Sequence, residues 1–134
     1  MMKPKAMDES KRVLVEEAQT DAVGLWTLLW DVEQEAPTLT ADQMRQAVLT
    51  IIREVLTEGR IVAGDIVDRD EDTAAFVPWD LSVEDTVARI EREWVKLGRK
   101  PEPGEIAWFV DPHRLPVAVS KHPMGKDWKP LPRA

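Results

Sequence analysis

The sequence predicts an α+β domain, mainly helical, with three to four helices and a small antiparallel sheet or hairpin. Three observations predict it. Apolar residues recur at three- and four-residue steps in several long windows, the period of one helix face. Short runs of β-branched and aromatic residues follow glycines placed as helix stops. The length, 134 residues, and the mix of 43% hydrophobic with 32% charged residues suit one globular domain with a real core.

The first helical signal runs from Asp8 to Glu35, with Val15, Ala18, Ala22, Leu25, Leu29 and Val32 on one face. Thr20 and Asp21 prefer cap positions, and Gly24 weakens a helix by roughly 1 kcal/mol relative to Ala. The expectation is a weaker helix over 8–19 and a stronger one over 21–35, stopped by Pro37. Thr40 and Gln43 have capping-box spacing, and Met44, Ala47, Val48, Ile51, Ile52 and Val55 form the stripe of the next helix, with Gly59 as its C-cap. Residues 60–67 read as a strand, and Ala74-Ala75-Phe76-Val77 as a second strand returning along it.

Ser82, with Asp85 three residues on, opens another helix whose buried face is Val83, Val87, Ile90 and Trp94 and whose C-cap is Gly98. Glu105 to Val110 is a short strand, with Ile106, Trp108 and Val110 on one face and Ala107 and Phe109 on the other. Half of the ten prolines lie from Pro112 onward, so the end of the chain is expected to be irregular, with Val117-Ala118-Val119 its one strand candidate. The implied organisation is a basic lead over 1–12, a single domain over 13–111 and a proline-rich basic tail over 112–134.

Charge placement is the most informative compositional feature. The formal net charge is −7, but residues 13–98 carry 19 acidic against 7 basic side chains, a net −12, while both ends are basic. Such a body is unsuited to displacing phosphate counterions, so direct nucleic-acid binding is not expected. No apolar run approaches the ~20 residues that span a bilayer, and no signal-peptide core follows the basic start, so a cytoplasmic protein without a membrane partner is expected.

Motifs for chemistry fail on inspection. Cysteine is absent, which removes disulfides, thiolate metal sites and cysteine nucleophiles. An EF-hand loop from Asp68 would need glycine and glutamate where Thr73 and Trp79 stand. His113 and His122 are nine residues apart, not on one helix face. Ser82 is an N-cap rather than a nucleophile, and no phosphate-binding glycine loop occurs. Neither cofactor, metal nor catalytic residue is therefore expected. Of the six tryptophans, Trp26, Trp94 and Trp108 fall on core faces, Trp30 shares or flanks the face of Trp26, and Trp79 is either a loop anchor or an interface anchor.

Three segments stand out together: Asp21-Ala-Val-Gly-Leu-Trp26, Val55-Leu-Thr-Glu-Gly-Arg-Ile-Val62 and Pro101-Glu-Pro-Gly-Glu-Ile-Ala-Trp-Phe109. Over residues 20–110 the chain resembles small bacterial immunity proteins of contact-dependent growth inhibition and polymorphic-toxin systems. The resemblance implies a cytoplasmic, non-enzymatic protein that binds and blocks one cognate toxin domain, often a nuclease. It transfers no contact residues, because these vary between members.

The acidity fits that role, since a nuclease presents cations where nucleic acid docks. The expected toxin-binding patch is Asp68, Asp70, Glu71, Asp72 and Asp80, with Trp79 as its anchor. A second candidate surface is Asp31, Glu33 and Glu35, where a solvated helix end is the simpler reading. The alternative class is a winged-helix-like regulatory module binding DNA or a protein. Against its DNA-binding form, residues 41–58 and 82–97 are each net −1.

Overall fold

The computed structural model describes residues 2–121 and 130–132. Among them are four helices, α1 (Pro4–Ala18), α2 (Leu25–Glu35), α3 (Ala41–Thr57) and α4 (Val83–Leu97). They pack with a curled antiparallel sheet of β1 (Val23–Gly24), β2 (Val62–Asp68), β3 (Thr73–Pro78), β4 (Trp108–Val110) and β5 (Ala118–Ser120). The strand order is β1-β4-β2-β3-β5. The fold is α+β in one domain, as the apolar periodicities require.

The helix ends follow local chemistry. Thr40 Oγ1 accepts from the Gln43 amide at 3.2 Å while the Gln43 side chain accepts from the Thr40 amide at 2.9 Å, closing the capping box of α3. Ser82 Oγ accepts from the Asp85 amide at 3.1 Å at the start of α4. Gly59 and Gly98 follow α3 and α4 with φ of 72°, a conformation that favours glycine.

The first hundred residues depart from expectation at two places. Pro4 occupies the first position of α1, where its fixed φ favours a helix and its missing N–H is not needed. The basic lead is therefore the first half of α1, and the Met2 side chain is buried in the core. Residues 21–24 are not helical: Val23 pairs with Phe109 and Gly24 with Trp108, so α2 starts only at Leu25. A side chain at Gly24 would run into the Trp26 ring, with its Cβ 1.6 Å from the nearest ring atom.

The tail also belongs to the sheet. β5 pairs with β3, and Leu131 bonds to β2 through its carbonyl to the Asp68 amide at 2.8 Å and its amide to the Ile66 carbonyl at 3.0 Å. Both expected boundaries, at 12 and at 111, thus fall inside the folded body. His122 and Trp128 lie outside the described residues.

β4 shows how the sheet serves two cores. Ala107 and Phe109 face the helices with Leu14, Leu25, Ile51 and Ile52. Trp108 and Val110 face the inside of the curl with Ile66, Phe76 and Val119. Trp26 meets Trp108 there edge-on, at 4.8 Å between centroids. Ile106 does not join that face as alternation predicted. Its φ of 71° turns the chain, and it packs with the helix-side core instead.

Gly64 is the tight point of the β2–β3 hairpin, where a Cβ would lie 2.3 Å from the Val77 carbonyl oxygen. Gly64→Ala is expected to destabilise the protein by about 1–3 kcal/mol, because backbone must shift to admit the methyl. A urea denaturation midpoint equal to that of the parent protein would contradict this.

Candidate protein-binding surfaces

The acidic turn is built around Asp70. Its Oδ1 accepts from the amides of Asp72 at 2.9 Å and Thr73 at 2.8 Å, closing the β2–β3 connection. Those two N–H groups, with the Thr73 hydroxyl, hold the Asp70 carboxyl below the usual carboxylate range. Lys121 ion-pairs with Asp68 and donates to the Asp70 carbonyl, and its amide bonds to the Asp72 carbonyl at 3.0 Å. Asp70 is thus committed to the turn and Asp68 is partly neutralised, while Glu71 and Asp72 are exposed.

Trp79 and Asp80 are not part of that patch. Asp68 pairs with Ala74 and Gly64 with Pro78, so the turn and Trp79 sit at opposite ends of β3. Six residues of strand separate them, about 20 Å at ~3.3 Å per residue. The Arg89 guanidinium covers the Trp79 ring at 3.8 Å from its centroid, and also pairs with Glu93 at 3.2 Å. The ring is half-buried against the helix-side core. This geometry is that of a loop anchor joining α4 to the hairpin. Asp80, beside it, is exposed, with φ of 55°.

The α2 surface is different. Leu25, Leu28, Leu29 and Val32 bury one side of α2, which leaves Trp30 on the other, 58% exposed. Asp31 and Glu35 lie one helical turn apart, and Glu17 of α1 faces Asp31. Partial burial, then the neighbouring carboxylates, raise the carboxyls of Glu17 and Asp31 above their ordinary values. Among the described residues none of Glu17, Asp31 and Glu35 has a cation partner. Glu33 is set apart from them, paired with Lys100 at 3.1 Å. Next to Trp30 runs a shallow groove of about 520 Å3, lined by Trp26, Leu29, Glu33, Arg99 and Pro101 among others.

So the structure keeps Asp31 and Glu35 together, adds Glu17, and supplies Trp30 as the exposed aromatic. Trp30 was open to detection in sequence, since it lies opposite the stripe formed by Leu25, Leu28 and Val32. Glu17 was not, because only the packing of α1 on α2 brings it to Asp31.

Among the described residues no group of three or more His, Asp or Glu side chains is placed to hold a metal ion. No helix there is long and apolar enough to cross a membrane. The cations of α3 are engaged, Arg45 with Asp42 at 3.2 Å and Arg53 with Glu84, which gives a duplex-reading α3 no support. No protein-family model matches the chain, and neither a curated protein nor a solved structure does.

Proposed function

We propose that this protein is an immunity-type inhibitor, a non-enzymatic binder that covers the cationic surface of a toxin domain, of which a nuclease is the favoured class. One observation carries the reading: three carboxylates without cation partners, Glu17, Asp31 and Glu35, lie on and beside the helix that exposes Trp30. Crowded carboxylates disfavour the free protein and are relieved when a partner brings Lys or Arg to them. Trp30, exposed on the same helix, has the residue type that dominates binding hot spots, and the groove next to it is lined by Glu33, Arg99 and Lys100. The acidic turn, through Glu71 and Asp72, then adds long-range attraction rather than the contact centre. The test is co-expression with the product of the adjacent gene. A stable complex whose affinity falls with salt, and protection of cells from that product, support the reading; no complex and no protection reject it.

Asp31 should reveal the compromise directly. Its native carboxyl is raised, so the native state binds a proton more readily than the unfolded chain, and ionisation works against folding. That penalty is absent below the unfolded value of about 3.9 and complete above the raised native value. Asp31→Asn is therefore expected to stabilise the protein at pH 7 by roughly 0.2–1 kcal/mol, screened as surface charges are. The gain should shrink towards zero as the pH falls to about 4. Urea midpoints at both pH values check this, and a loss of stability at pH 7 would contradict it.

A further inference from the structure

A second surface, sharing no residue with the Trp30 groove, lies between the N-terminal part of α1 and the outer side of α3. It is an open groove of about 720 Å3 with an apolar floor that includes Met2, Pro4, Met7 and Ala47. Unbranched thioether side chains adapt to varied apolar shapes, which suits a receptor groove. Its charged lining is entirely acidic: Asp8, Asp42 and Glu54, with no Lys or Arg. Arg45 at 3.2 Å and Lys11 at 4.0 Å hold Asp42 and Glu54 without lining the groove themselves.

We propose that this groove docks a cationic amphipathic helix of a partner protein, its apolar stripe over Pro4 and Met7 with the exposed edges of Met2 and Ala47, and its Lys or Arg residues against Asp8 first and against Asp42 and Glu54 in place of Arg45 and Lys11. The dimensions suit a helix. Asp42 and Glu54 are twelve residues apart on α3, about 18 Å at ~1.5 Å per residue, the length of some three helical turns. Two helices form the walls, which is the arrangement that accepts a helix rather than an added strand. The acidic lining, without a Lys or Arg of its own, favours a cationic helix as the occupant, and a second copy is the competing outcome of the test. The inference does not depend on the immunity reading, and its test uses no toxin.

The probe is a fluorescein-labelled 18-residue peptide of Leu and Lys with Leu at helical spacing, compared with a permuted peptide of the same composition. Anisotropy at low salt should show the amphipathic peptide binding at least about tenfold tighter than the permuted one. Thr50 is exposed and lines the groove, so Thr50→Trp fills it without disturbing the core. That variant, and Asp8→Lys combined with Glu54→Lys, should each weaken binding about tenfold, while Arg92→Ala, exposed on α4 and outside the groove, should leave it unchanged. Circular dichroism establishes that each variant is folded. Equal binding of the permuted peptide, or indifference to Thr50→Trp in a folded variant, overturns the proposal. So does a dimer in sedimentation that Thr50→Trp dissolves, since the groove is then covered by a second copy.

Discussion

Phe109→Ala is expected to lower stability by about 3–5 kcal/mol, a large part of the ~5–15 kcal/mol typical of a domain. Phe109 is 0% exposed and lies on β4, which is bonded to β1 on one side and β2 on the other. Its ring fills the space between the sheet and the helices, among Leu14, Leu25, Ile51 and Ile52. Removing it takes away both the transfer of the ring from water and the contacts of every side chain around it. A strand held from both sides cannot easily collapse into the cavity, which places the cost at the upper part of the range. Phe109→Leu, which keeps most of the volume, should lose much less. Urea denaturation of the three proteins checks this, and a loss below ~1 kcal/mol for the alanine variant would contradict the packing described for β4.

Trp30→Ala is expected to do the reverse, leaving stability nearly unchanged while weakening partner binding by about 2 kcal/mol, roughly thirtyfold in Kd. At 58% exposure the ring contributes little to the core, so the unfolding midpoint should stay close to that of the parent protein. In the proposed complex the same ring, exposed in the free protein, would be the hot-spot anchor of the α2 surface. Trp79→Ala gives the contrast. Its ring packs on the core under Arg89, so its loss should appear in stability first. Calorimetric titration paired with thermal unfolding separates the two. If Trp30→Ala leaves affinity intact, the α2 surface is not the contact centre.

What the sequence disclosed was set by distance along the chain. The Thr40–Gln43 box, the Ser82 cap and the glycines at 59 and 98 are interactions within a few residues, and each stands where the pattern placed it. The β2–β3 hairpin was likewise legible, because its two strands are joined by a four-residue turn. Pairings between remote segments were not. Nothing local in Asp21–Gly24 announces a strand; it becomes one because β4 supplies partners more than eighty residues away. In the proline-rich tail the one strand candidate, Val117-Ala118-Val119, overlaps β5, but its pairing with β3 and the return of Leu131 to β2 have no local signal.

The same limit shaped the site. Counting carboxylates picked out Asp68 to Asp80 as one patch, but a strand period of about 3.3 Å per residue stretches that segment along the hairpin. Asp70, a surface charge by sequence alone, accepts two amides and closes the turn. Of the second candidate surface, Glu33 is drawn off by Lys100 at 3.1 Å, while Asp31 and Glu35 lie one turn apart on α2. Their third partner, Glu17, required tertiary packing.

Association kinetics with the product of the adjacent gene, the partner proposed above, test the central claim most directly. Two double reversals are compared at low and high salt, Asp31→Lys with Glu35→Lys on α2, and Glu71→Lys with Asp72→Lys on the turn. Asp70 is left intact because the turn depends on it. The α2 reversal should slow association at low salt by about tenfold or more and accelerate dissociation, whereas the turn reversal should affect only the on-rate, and less. Rates that are insensitive to salt and unchanged by the α2 reversal would contradict the claim that this acidic, tryptophan-bearing helix is where the partner binds.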